Sequence, residues 1–185
     1  IVQPNIKQKT KWDNLKRTSH LKTLVKLSNQ ESIRYMNTKR IIIWPETSFE
    51  GIIPRDFDLM SNVTNDIIND TNTSLIIGTL SSKNKKLFNS LIYINPMGNL
   101  EYKYDKIHLV PFGEYIPYIS FIKSIGFMKG KRDFSSGTIN KNFKILNIGD
   151  VLPLICYEIL FSEEVRNRIS NNTKLIINIT NDAWF

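Results

Sequence analysis

Short apolar runs, each too brief for an ordinary helix, recur along this chain between segments of helical period. Arg40 to Trp44 and Ser74 to Gly78 read as buried strands, Lys174 to Thr180 as a last strand, and Ile1 to Ile6 as a short one. Between them, Leu15, Leu21, Leu24, Val25 and Met36 lay one apolar stripe along residues 14–37, with Asp13 as N-cap. Phe57, Met60, Val63, Ile67 and Ile68 give residues 55–70 an inner helical face. Phe88 to Asn95 and Leu100 to Asp105 flank a strong turn signal, Pro96 to Asn99, and predict a hairpin. Phe143 to Ile148 and Val151 to Ile155 predict a second, turning at Gly149-Asp150. Ser162 is placed to cap a helix to about Ile169, with Glu163 and Glu164 in its first turn. Strands alternating with helices, together with hairpins, predict an α/β (α+β) fold: a mixed sheet covered by helices.

The 185 residues, 41% hydrophobic and 23% charged, are enough for one domain with a sizeable core, spanning residues 1–185. The formal net charge of +8 does not describe a nucleic-acid surface. Its lysines are scattered among asparagines and isoleucines and cluster only at Lys83 to Lys86 and Lys129 to Arg132, so no nucleic-acid partner is expected. One cysteine excludes an internal disulfide. His20 and His108 are too far apart for a zinc-type spacing, so no metal is expected, and nothing points to an organic cofactor. No run reaches the roughly 20 apolar residues of a membrane span. The chain opens on Ile1 rather than methionine and stops just past an apolar run, as expected of a domain cut at both ends from a longer protein.

Three of the strand-like runs close on reactive groups. Glu46 ends the run from Arg40, Lys106 ends the run from Leu100, and Cys156 ends the run from Val151, with Glu158 two residues on. A lone thiol more often packs as a small hydrophobe, and an isolated acid or lysine is more often a solvated surface group. In a layered α/β protein, however, side chains at strand ends are held rigidly where loops leave room for substrate. A carboxylate, an ammonium and a thiol delivered this way are the parts needed for acyl transfer through a thioester. A strand-to-turn junction exposes the nucleophile and directs the next N–H, that of Tyr157, toward a developing oxyanion. With no histidine adjacent in sequence, Glu46 is the base and Lys106 the cation.

The order Glu–Lys–Cys resembles the nitrilase, or carbon–nitrogen hydrolase, superfamily, whose catalytic set sits on an αββα sandwich. Within it the chain is most similar to the apolipoprotein N-acyltransferase family. Ile43-Trp-Pro-Glu-Thr47 resembles that family's glutamate segment. The fourteen residues from Tyr104 through Pro117 resemble its lysine segment, and Ile155-Cys-Tyr-Glu-Ile-Leu-Phe161 its nucleophile segment. Val2-Gln3, Lys11-Trp-Asp13 and Asn178 to Phe185 also resemble it, so the likeness spans essentially the whole chain.

The resemblance implies that Glu46 is general base, that Lys106 stabilises the oxyanion and supports the thiolate, and that Cys156 is acylated. It implies a further essential acid at Glu114, supporting neighbours at Tyr157 and Glu158, and a tryptophan near the substrate entrance at Trp12. For Glu158 an orienting hydrogen bond is expected, and for His108 a structural one. The implied reaction is ping-pong: a membrane phospholipid donates its acyl chain to Cys156, and the diacylglyceryl-cysteine amine of an apolipoprotein receives it. The apolar loop 116–128 is either a lid for lipid chains or a core cover. The family further implies a monomer, transmembrane helices preceding the domain, strands completing the sandwich beyond it, and a periplasmic face of the bacterial inner membrane. Two alternatives remain at this point. One is a soluble superfamily amidase or nitrilase, although such members continue after Cys-Tyr with an Asp and an Arg-Phe-Pro stretch where this chain has Glu158 to Phe161. The other is an inactive fragment with only a structural or binding role.

Overall fold

The computed structural model describes residues 4–6, 15–29, 38–68, 72–115, 133–139, 142–145 and 148–181. These form two mixed sheets. The first contains β1 (Arg40–Ile43), β2 (Ile52–Ile53), β3 (Thr73–Lys83), β4 (Lys86–Ile94) and β5 (Leu100–Asp105). Its order is β1-β3-β4-β5, with β2 also paired to β3; β1 and β2 run parallel to β3, and β4 and β5 follow antiparallel. The second contains β6 (Phe143–Ile145), β7 (Gly149–Ile155) and β8 (Thr173–Ile179), ordered β6-β7-β8, with β8 parallel to β7.

Alternation along the strands sorts the core into layers. Leu75 and Ile77 of β3 and Ile92 and Ile94 of β4 pack outward under α1 (Arg17–Asn29) and α2 (Phe57–Ile68), with Leu21, Leu24 and Met60. Ile76, Leu91, Tyr93 and Tyr104 point the other way and meet Val151, Ile155, Ile177 and Ile179 of the second sheet. Phe143 of β6 stacks on Tyr102 of β5 at 4.6 Å and tilts against Tyr93 of β4 at 5.2 Å, joining the sheets. Leu152 and Leu154 of β7 pack outward on Val165 of α3 (Ser162–Arg168). Helices, sheet, sheet and helix make the partial αββα sandwich that the resemblance implies.

Several local expectations shift. Residues 4–6 carry no strand. The first helix begins at Arg17, and Leu15 is 93% exposed in the preceding turn rather than on the apolar stripe; Asp13 and Met36 lie outside the described residues. The second hairpin does not turn at Gly149-Asp150. Both residues pair within β7, opposite Ile145 and Lys144. Gly149 is needed there because its φ is +113° and a Cβ would sit 2.6 Å from Lys174 Cγ on β8. Ser162 does not cap α3. The cap position is Phe161, with no side-chain bond, and its N–H is donated to Glu158 O at 3.1 Å. The helix is launched by the 3₁₀ turn Cys156–Leu160, which directly precedes it.

Candidate active site

The carboxylate of Glu46 hangs from the turn after β1. Trp44 still donates its N–H to Ile76 O, continuing the strand, and Ser48 N–H then closes a turn on Pro45 O. The turn presses on β3 at Gly78, where a Cβ would meet Pro45 O at 2.3 Å and Glu46 Cα at 2.6 Å. Only glycine admits so close a crossing. Glu46 is buried, and both oxygens are met by donors: Asn89 Nδ2 to Oε1 at 2.7 Å, and Asn181 N–H to Oε2 at 3.2 Å.

Lys106 follows β5 directly. Its N–H donates to Asn89 O at 2.8 Å and its carbonyl accepts from Gly137 N–H at 2.8 Å, so its backbone is fixed from two sides. The side chain is 1% exposed, and Nζ pairs with Glu114 Oε2 at 2.9 Å. A buried ammonium of this kind requires a counter-charge. Glu114 is tied in turn by Val110 N–H to Oε2 and Asn89 Nδ2 to Oε1, both at 2.9 Å.

Cys156 stands where β7 breaks into the 3₁₀ turn, with φ at +57°. The left-handed region costs a non-glycine residue about 1–3 kcal/mol. Thr47, beside Glu46, and Phe112, near Glu114, share this region at +47° and +61°, so strained residues gather at the site. The thiol is half-buried. Burial first, and then the negative field of Glu46, push it above the ordinary thiol range. The ammonium of Lys106 and hydrogen bonds from Thr180 and the Tyr157 N–H pull it back less. Asn89, bonded to both Glu46 and the Glu114 that pairs with Lys106, brings two of the strand ends together, and both of these charges lie near enough to Cys156 to shift its thiol.

Glu158 is 3% exposed and braces this corner. Its Oε1 accepts from Tyr104 OH at 2.8 Å, Ile107 N–H at 2.8 Å and His108 N–H at 3.1 Å; Oε2 accepts from Ile155 N–H at 2.8 Å. With its oxygens filled by the residues beside the nucleophile and the lysine, it holds them rather than serving as an open acid. Arg168 donates to Tyr104 OH at 2.9 Å from α3. Burial beside the Glu158 charge drives the Tyr104 phenol strongly upward, so it remains a donor. His108 stacks on Phe161 with ring centres 3.4 Å apart, its backbone N–H donates to Glu158, and its ring Nδ1 lies 3.3 Å from Glu164 Oε1. The Tyr157 N–H, expected to face an oxyanion, is directed at the sulfur, while its side chain is 39% exposed. A cleft of about 580 Å³ opens beside the lysine segment, between Ile107, Leu109, Tyr115 and Phe134. Trp12 and the 116–128 loop lie outside the described residues.

Sequence reasoning missed Asn89 and Gly78. Asn89 interrupts an apolar strand beside Ser90, a polar signal with no partner nearby in sequence. Gly78 ends the Ser74 run, where a glycine reads only as a strand end.

Known proteins share this architecture. The chain is 32% identical over 198 residues to the apolipoprotein N-acyltransferase of Bradyrhizobium diazoefficiens, and 32% identical over 192 residues to that of Rickettsia prowazekii. All of this chain is covered, but only 36% and 37% of those relatives, so it spans about a third of their length. In fold it is similar to a carbon–nitrogen hydrolase superfamily protein from Xanthomonas campestris, at TM-score 0.62 and 16% identity over 98% of this chain and 63% of that one. It is likewise similar to a nitrilase-superfamily amidase from Nesterenkonia, at TM-score 0.62 and 14% identity over 89% and 60% of the two chains. The model of the carbon–nitrogen hydrolase family matches residues 1–185. With the sandwich and the three converging strand ends, the match over the full length means that this chain belongs to the carbon–nitrogen hydrolase family.

Proposed function

We propose that this chain is the catalytic domain of an apolipoprotein N-acyltransferase. In this reading it moves a fatty acyl chain from a membrane phospholipid, through a thioester on Cys156, to the α-amino group of an apolipoprotein's diacylglyceryl-cysteine. The observation that carries the reading is the joint action of Glu46 and Lys106 on a thiol at a strained strand end. Likeness over the whole chain to N-acyltransferases supports the choice of reaction within the family.

Because the thiol is held protonated, catalysis begins with proton transfer rather than from a standing thiolate. Glu46 takes the proton as the sulfur attacks the ester carbonyl. The Lys106 ammonium and the Tyr157 N–H, released from the sulfur, stabilise the tetrahedral oxyanion. The oxyanion collapses, the C–O bond breaks, and Glu46 returns the proton to the lysophospholipid alkoxide. The thioester conserves acyl activation while one substrate replaces the other. The amine then attacks, Glu46 accepts its proton, and the C–S bond breaks to leave an amide and a thiolate, which recovers that proton. Glu114 holds Lys106 and Glu158 orients the Cys156 turn; family likeness alone assigns Trp12 to substrate entry. No metal or organic cofactor enters these steps. The working protein acts as a monomer at the periplasmic face of a bacterial inner membrane, anchored by helices of a longer parent.

Intact-protein mass spectrometry after incubation with phospholipid vesicles tests this. A hydroxylamine-labile, acyl-sized gain is expected in wild type and absent in Cys156→Ala and Glu46→Gln. A folded wild-type protein that gains no mass from vesicles, yet hydrolyses a small amide, would make it an amidase instead.

A further inference from the structure

One side-chain nitrogen serves two acids. Asn89 Nδ2 donates to Glu46 Oε1 at 2.7 Å and to Glu114 Oε1 at 2.9 Å. An amide nitrogen has two hydrogens, so each carboxylate receives one. The other end of the same amide, Oδ1, is buried without a hydrogen-bond partner among the described residues. Leaving a buried acceptor unmade is unfavourable. The amide is therefore oriented by what its nitrogen does, because the flipped form would set oxygen against two carboxylates. Its strand position is equally fixed, since Asn89 of β4 pairs with Leu80 of β3 and its carbonyl accepts from Lys106 N–H at 2.8 Å.

We propose that Asn89 is a positioning residue that keeps Glu46 ionised, and so available as the base, by dividing its two amide hydrogens between Glu46 and Glu114. This role rests on the acyl-transfer reading above. Among the described residues, the charged and titratable groups facing Glu46 are Lys106 and Glu114 from the segment after β5 and Cys156 from the end of β7, with the Asn181 N–H after β8. Lys106 is bonded to Glu114. Two carboxylates bridged by one nitrogen repel, and without the bridge a proton on Glu46 relieves the repulsion. The bridge instead leaves Glu114 for Lys106 and Glu46 for the thiol.

The proton inventory makes an unusual prediction. With one proton shared between Glu46 and Cys156, loss of the bridge raises the proton affinity of Glu46 and favours the carboxylic acid–thiolate form. In Asn89→Leu, alkylation of Cys156 by iodoacetamide at neutral pH therefore becomes faster, with a ceiling of about tenfold for a one-unit change at Glu46. The acid limb of acylation by a soluble p-nitrophenyl ester moves to higher pH by the same interval. Asn89→Ser, which keeps one donor, shifts both in the same direction by less, and it decides the matter should Asn89→Leu not fold. Both reactions are followed on the full chain from about pH 5 to about pH 9. A uniform loss of rate with an unmoved acid limb and unchanged or slower alkylation overturns the proposal. If wild type shows no ester burst, the acyl-transfer reading falls, and the alkylation rates alone decide the role of Asn89.

Discussion

The backbone N–H of Asn181 donates to Glu46 Oε2 at 3.2 Å, across 135 positions of sequence. Asn89 meets the other oxygen, so each side of this carboxylate accepts from an N–H donor. Glutamine is therefore a poor isostere here, because its amide nitrogen must oppose an N–H donor whichever way it turns. Glu46→Gln is expected to lower thermal stability by about 1–3 kcal/mol. Loss of the base should also cut the acylation burst by about 10²–10⁴-fold. Stopped-flow bursts and thermal melts measure the two effects, and a burst within tenfold of wild type would remove Glu46 from the base role.

Gly78 is expected to be as demanding as a catalytic side chain although it has none. In Gly78→Ala the new methyl would lie 2.3 Å from Pro45 O, and backbone rather than a flexible side chain must yield. Overpacking of this kind costs about 1–3 kcal/mol. A shift of about 1 Å in the Glu46 turn should cost roughly 10²-fold in rate. Full activity in the folded variant, assayed beside its denaturant midpoint, would show that the turn can move without consequence.

The thiol sets a signed pH dependence. Cys156 keeps its proton to higher pH in the fold than in the unfolded chain, chiefly through burial and then through Glu46. Its contribution to stability is thus complete below the unfolded thiol's range and is lost as pH rises through the folded value. Cys156→Ser should flatten the alkaline decline in stability. Alkylation of wild type should be slow at neutrality, faster in Glu46→Gln and slower in Lys106→Met. The opposite order in iodoacetamide kinetics would refute the assigned fields.

Glu46 and Cys156 were legible in the sequence because each interrupts an apolar run with a reactive group, and Lys106 because it closes a strand-like run. Glu114 has no such contrast, since it lies in an irregular segment, and only family likeness singled it out; Glu158 showed as a carboxylate two residues past the thiol, but nothing local revealed which N–H groups it gathers. Asn89 was illegible for a different reason. Strands buried on both faces lack a polar–apolar period, so the sequence of β4 does not reveal which residues look between the sheets. That choice is fixed by pairing with β3 and β5, long-range information absent from a local window. The misplaced turn at Gly149 has a similar origin: its glycine answers to Lys174 on a neighbouring strand, not to chain reversal.

The four donors gathered by Glu158 come from both sheets: Tyr104 and the residues after β5 on one side, and Ile155 of β7 on the other. Packed apolar faces alone resist separation well and sliding poorly, because a sideways step trades one greasy neighbour for another of equal kind. A carboxylate gripped from both sides has no second register to step into. Shear between the sheets would strand buried N–H groups at once, so this one side chain makes the sandwich stiff in the direction along which the nucleophile would otherwise drift from its lysine.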